Sequence, residues 1–280
     1  MKKIGFSVLF ILFTLSTFGS YLLIPMDESQ KNHLKSYGIA YWCLQRDVEV
    51  QWLLNYRGGS FMMKDNQAIQ DEMLIRGVSY ERIPDAKSTA ILNEIANPES
   101  NTDVMKLQKP PKMAVYSPKG KQPWDDAVTL VLTYAEIPYE VIYDKQIIQG
   151  ELPLYDWLHL HHEDFTGQYG RFYANYRNAA WYKKQVQDNE KMAAELGFSK
   201  VSQLKLGVAK AIREFTAGGG FMFSMCSGTD SYDISLAAME LDICEKMFDG
   251  DGTTQGYNSK LDFKKTFAFK DFSLKTDPML

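Results

Sequence analysis

Cys226 stands in FSMCSGTDSYD, residues 223–233, between a short apolar run and a segment patterned as a helix. A thiol at such a junction can serve as a nucleophile. A sharp strand-to-helix turn lifts the side chain above a sheet, small neighbours relieve the backbone, and helix N-termini favour thiolate over thiol. The residues two before and two after it, Ser224 and Gly228, are both small. The amide of Ser227 falls where a donor to a developing oxyanion belongs.

A second group lies in WLHLHHEDFTG, residues 157–167. Along a strand, His159 and His161 share one face while Leu158, Leu160 and His162 share the other. If this strand neighbours the one leading to Cys226, then His161, His162 or Glu163 comes to the thiol as its base. Two other uses stay open: structural hydrogen bonding, and a metal site in which Glu163 and Asp164 join the imidazoles. No distant third histidine joins the set, so the sequence calls for no metal and no cofactor. Weaker features are Lys119 and Lys121 before a helix start, an anion-binding pattern. Asp125 and Asp126 serve the first turn of that helix more simply. The aromatics of RFYANYRNAAWY, residues 171–182, read as core, with a face for sugar or peptide as the alternative.

The elements that must hold these residues alternate. YLLIPM, VEVQWLL and VSYERI read as strands, with helices over ESQKNHLKSYGIAYWCLQRD and NQAIQDEMLIRG. This β-α-β-α-β order predicts a parallel sheet with covering helices, and NYRGGSF reads as a loop at a strand's carboxyl end. Residues 97–111 lack apolar periodicity, end in Pro110–Pro111 and read as a linker. A second alternation follows: strand KMAVYS, helix WDDAVTLVLTYAEI, strands YEVIY and YDWLHLHHEDF, helices over roughly 172–196 and 200–217, strand FMFSM, then a helix through ISLAAMELDICEKMF. The last thirty residues read as β-rich. The expected class is α/β with a mainly parallel sheet and helices on both faces. Its parts are a signal over 1–20, an α/β segment over 21–96, the linker, and a second domain over 112–280.

The N-terminus pairs the charged MKK with the apolar IGFSVLFILFTLSTFGS, the pattern of a secretory signal, with Thr17 and Gly19 as small residues for cleavage. The expected location is therefore the periplasm or the outside, with no membrane partner beyond that segment; an uncleaved anchor is the alternative. Net charge is −4 over 280 residues with a pI near 5.7, which excludes a global basic field for nucleic acid. Cys43, Cys226 and Cys244 are odd in number, so any disulfide leaves one thiol over.

From KMAVYS to the helix after Cys226, over roughly 112–250, the order of elements resembles the class I glutamine amidotransferase-like superfamily. That resemblance implies a flavodoxin-like second half with a cysteine elbow after a glycine-ended helix. The whole chain, with HLKSYGIAYW, WLLNYRGGSF, KGKQPWDDAVTLVLTY and WLHLHHEDFTGQYG, also resembles a set of exported bacterial proteins commonly labelled asparagine synthetase B. In the amidotransferase family a histidine and an acid C-terminal to the cysteine complete the site. Here His33, His159, His161 and His162 all precede Cys226, so the resemblance implies a C-terminally incomplete copy or an absent triad. The expected function is an exported, cysteine-dependent hydrolase of an amide or related bond, with a small-molecule or peptide substrate. The alternatives are a non-catalytic binding or assembly module and an ATP-dependent ligase of the asparagine synthetase type. The ligase's loop is Ser-Gly-Gly-x-Asp-Ser, and Ser227-Gly228-Thr229-Asp230-Ser231 is one residue shorter and lacks the second glycine.

Overall fold

The computed structural model describes residues 20–118, 127–169 and 172–279, an α/β protein with two separate sheets. The chain divides at Pro110–Pro111 into two compact units, with residues 134–137 grouping with the first. The signal segment and the Lys119–Asp126 anion pattern lie outside the described residues.

The first unit is built on β1 (Tyr21–Ile24), β2 (Val50–Leu54), β3 (Ser60–Lys64), β4 (Glu81–Ile83) and β5 (Asp103–Leu107). They run in the order β4-β1-β3-β2-β5, with every neighbouring pair antiparallel. Its helices are α1 (His33–Leu44), α2 (Gln67–Arg76) and α3 (Asp85–Ile95). The two-residue period of the strands sorts the side chains into two cores. Leu22, Ile24, Phe61 and Met63 pack with Ile39 of α1 and Met73 of α2, while Leu23, Leu53 and Met62 pack with Ile91 and Ile95 of α3.

The expected parallel sheet is thereby corrected for this unit. NYRGGSF is not a loop leading to a helix but a tight reversal followed by β3. Asn55, Arg57, Gly58 and Gly59 all take positive φ there. A five-residue connection can close only an antiparallel pair, since a parallel one needs a crossover of a dozen residues. Gly58 serves close approach: a Cβ on it would lie 2.4 Å from the Met26 carbonyl oxygen. Arg57 closes the turn through ion pairs to Asp27 and Glu81, both at 2.6 Å. Residues 97–111, expected as a linker, contain β5.

The second unit carries β6 (Met113–Tyr116), β7 (Glu140–Ile142), β8 (Trp157–Leu160) and β9 (Phe221–Ser224), all parallel, in the order β7-β6-β8-β9. Its helices are α4 (Ala127–Ala135), α5 (Asp144–Ile148), α6 (Tyr173–Tyr176), α7 (Ala180–Glu195), α8 (Val201–Ala217), α9 (Cys226–Ala237) and α10 (Lys246–Asp249). Helix α8 repeats apolar residues at Val201, Leu204, Val208 and Ile212, a stripe that packs with Leu158, Leu160 and Leu236. Successive strands leave β6 on opposite sides, which makes the carboxyl ends of β6 and β8 the topological switch point, where open parallel sheets bind ligands.

Two expectations for the C-terminal part are corrected. The helix expected through ISLAAMELDICEKMF starts earlier, at Cys226, and ends at Ala237. Asp242 ends any continuation by turning its carboxylate onto the Cys244 amide, 2.9 Å away. The tail expected to be β-rich has no strand among the described residues 250–279. Side chains hold it instead: the buried Asp233 of α9 accepts the amides of Phe267, Ala268 and Phe269 at 2.7–2.8 Å. Asp233→Ala is expected to release this segment, with faster protease cleavage in residues 262–279 and a loss of about 2–3 kcal/mol. Limited proteolysis with mass spectrometry checks it; an unchanged cleavage pattern would remove the anchoring role.

Candidate active site

Strand β9 delivers the chain to the elbow in register with β8, Leu160 facing Ser224. The Met225 amide adds one further bond to the Leu160 carbonyl, 3.1 Å. The backbone then reverses at Cys226, whose φ of +54° puts a non-glycine residue in the left-handed region. Such a conformation costs of order 1–3 kcal/mol and persists where surrounding contacts over-determine it. Helix α9 begins at this residue, and the thiol is exposed.

The contacts that hold the turn come from the loop after β8. Three successive carbonyls are bonded by α9. His161 C=O accepts from the Gly228 amide at 2.8 Å, His162 C=O from the Ser227 hydroxyl at 3.4 Å, and Glu163 C=O from the Ser231 hydroxyl at 2.8 Å. Gly228 has to be glycine for this stitching. A Cβ there would lie 2.6 Å from the His161 oxygen and 3.0 Å from its carbonyl carbon. Gly228→Ala is expected to push α9 off the loop and cost about 1–3 kcal/mol. A thermal melt lowered by several degrees checks it, and an unchanged melt would mean the approach is not required.

The structure thus sets the two sequence-predicted segments side by side, joined through backbone carbonyls. Cys226, Ser227 and Gly228 form the first turn of α9 at the carboxyl end of β9, and His161, His162 and Glu163 form the loop at the carboxyl end of β8. The two imidazoles meet, Nδ1 to Nδ1, at 2.8 Å. One nitrogen must carry the proton and the other accept it, so the pair fixes complementary tautomers. Glu163 is buried, and its Oε2 accepts the His161 amide at 3.2 Å. It thus holds the backbone of the histidine loop. Asp164 is likewise engaged locally, accepting the Thr166 amide and hydroxyl at 3.0 and 2.6 Å. His159 is buried, its ring parallel to Phe223 at 5.7 Å and to His161 at 6.2 Å. The shared face of His159 and His161 is thus present. Ser224 and Thr229 join hydroxyls across the elbow at 3.2 Å. The first-turn amides of a helix, the Ser227 N–H among them, have no intrahelical acceptor.

The other two cysteines are unlike Cys226. Both are buried and free; burial pushes the Cys43 thiol up to about 12 and the Cys244 thiol higher still.

Sequence reasoning missed a buried polar cluster at the carboxyl ends of β6 and β7. The Lys205 Nζ of α8 donates to both Asp144 oxygens at 3.0 and 2.8 Å, and to the Tyr143 and Tyr116 hydroxyls at 2.9 and 3.1 Å. The Tyr116 hydroxyl also donates to Asp144. Burial alone would lower the Lys205 pKa, but Tyr143 and the Asp144 carboxylate hold it above the ordinary lysine range. Burial, with Asp144 beside it, lifts the Tyr116 phenol well above its own. The signal was available: Lys205 falls on the apolar stripe of α8, where a solvated lysine has no place.

One set of three carboxylates among the described residues is close enough to hold an ion, Asp242, Asp249 and Asp251. Lys200 already lies among them, paired to all three. Three grooves of about 410, 340 and 530 Å³ open on the second unit, and Cys226 lines none of them. No helix among the described residues is long and apolar enough to cross a membrane. Against known proteins, no family model, curated protein or solved structure matches this chain.

Proposed function

We propose that the second unit is a cysteine-dependent hydrolase of an amide or related acyl bond, of the class I glutamine amidotransferase-like kind, with Cys226 as nucleophile. The observation that carries this reading is the left-handed backbone at Cys226, an exposed thiol on a strand-to-helix turn. The strand order β7-β6-β8-β9 supports it, since it follows the 2-1-3-4 order of flavodoxin-like sheets. In the reaction an imidazole of the His161–His162 pair takes the thiol proton, the thiolate attacks the acyl carbon, and the carbonyl electron pair moves onto oxygen, opposite the Ser227 amide. As the oxyanion collapses, the carbon–nitrogen bond breaks, and the leaving nitrogen takes a proton from an imidazole of the His161–His162 pair. Water, deprotonated by the same imidazole, then cleaves the thioester and restores the thiol. Glu163 acts as a positioning residue through the His161 amide.

The ATP-loop reading finds less support. Ser227 to Ser231 belong to α9, and the Gly228 amide is committed to His161, so no glycine loop is left to cradle pyrophosphate. The same proposal takes residues 1–20 as a signal for export, which N-terminal sequencing of protein recovered from the periplasm or medium tests.

The reading is tested by incubating the full chain with a p-nitrophenyl ester and measuring intact mass. An acyl adduct on Cys226, blocked by prior alkylation, is the expected result. An adduct on another residue, or none, overturns it.

A further inference from the structure

Away from the elbow, helices α6, α7 and α10 enclose a groove of about 410 Å³, within the ~300–1,000 Å³ of small-molecule sites. Its base is aromatic. Tyr173 meets Phe248 edge-on at 5.1 Å, and Tyr169 joins Phe248 and Tyr182, each at 6.2 Å. Tyr169 and Tyr182 are 5% and 3% exposed, and neither phenol has a hydrogen-bond partner among the described residues. Burying a hydroxyl without a partner costs roughly 1–3 kcal/mol, a cost the fold carries beneath the groove, since neither phenol oxygen reaches its surface.

The walls are polar and of mixed kind. Arg177 and Lys183 offer only donors, Glu190 only acceptors, and Asn178 and Gln187 both. The mouth continues into three exposed rings: Phe172 lies 5.7 Å from Trp181, and Tyr176 lies 5.3 Å from it. These rings are 46–48% exposed, and Trp181 touches Tyr182 of the base at 5.8 Å. An exposed cluster of large aromatics is normally a contact surface.

From these features we infer that the groove and its aromatic mouth form a carbohydrate-binding site, taking an oligosaccharide with one sugar in the groove and the next along the Trp181 platform. A pyranose presents an apolar C–H face that suits ring walls, and vicinal hydroxyls that both donate and accept. The wall set matches that pairing, with donors and acceptors facing one small volume. A simple anion or cation would meet charges of both signs. An extended peptide would need a row of backbone partners in strand register, and no strand lines the groove. The site stands independently of the thiol chemistry, because none of its residues belongs to the elbow.

Isothermal titration of the full chain with cellotriose, chitotriose and trigalacturonate tests the inference. The neutral and acidic probes distinguish whether Arg177 and Lys183 read hydroxyls or a uronate carboxylate. The expected result is saturable binding of at least one trisaccharide. Trp181→Ala and Glu190→Gln should each weaken it by roughly tenfold, about 1.4 kcal/mol. Both residues are exposed, so the variants keep the fold, which circular dichroism verifies. Absence of binding to all three sugars at millimolar concentration overturns the inference. So does binding that neither substitution weakens, or heat only with a tyrosine-rich control peptide.

Discussion

Cys226→Ala is expected to abolish turnover of an activated acyl substrate, by at least about a thousandfold. Losing the nucleophile of a comparable triad costs up to ~10⁶ in rate. Alkylation gives an independent readout on the same pair of proteins. At pH 8 a thiol held near 12, as Cys43 is, has roughly one part in 10⁴ as thiolate, and Cys244 has less. Both are also buried, whereas Cys226 is exposed. Native protein should therefore take up one equivalent of iodoacetamide, at Cys226, and Cys226→Ala should take up none. Equal labelling of the two proteins would remove the thiol from the mechanism. Full labelling at Cys226 with turnover unchanged in the variant would keep the elbow and remove its catalytic role.

Lys205→Ala is expected to be the most destabilising single change in the second unit, by about 3–5 kcal/mol, because it strands the fully buried Asp144 carboxylate. Removing both charges together, as Lys205→Met with Asp144→Leu, should recover much of that loss. Urea unfolding midpoints check both, and equal losses in the single and double variants would contradict the pairing. The pH dependence has a definite sign. Lys205 and Tyr116 both have raised folded-state values. Above the ordinary Lys and Tyr values near 10, the folded chain therefore retains protons that the unfolded chain releases. Their contribution is fully present at neutral pH and declines as pH rises past about 10. Stability should therefore fall more steeply with pH above about 10 in wild type than in the double variant.

The second unit was largely legible in the sequence, because short apolar strands, long helices and small residues around Cys226 each carry a local signal. The parallel pairing of β8 beside β9, which the alternation left open and a flavodoxin-like sheet implies, brings HLHHE beside the elbow. What failed was local patterning whose meaning is non-local. SFMMK is buried on both faces, so β3 shows no alternation. The four positive-φ residues before it close a hairpin that the glycines alone did not identify. Gly228 reads in the sequence as a small residue beside a nucleophile, and in the structure it admits the His161 carbonyl. Lys205 was invisible to motif reading, since only the company it keeps on α8 marks it as buried. The tail misled because the backbone amides of its aromatic stretch are taken by the Asp233 carboxylate and not by a ladder.

Helix α9 bears the thiol on its first residue and, two turns on, the Asp233 carboxylate that fastens Phe267 to Phe269. Elbow and tail are thus fastened to one helix, and any coupling between them is reciprocal. A covalent adduct that tightens the first turn of α9 would slow proteolysis of residues 262–279. A clip in that segment would in turn loosen the seat of Cys226. The tail is in this sense a remote reporter of occupancy at the thiol.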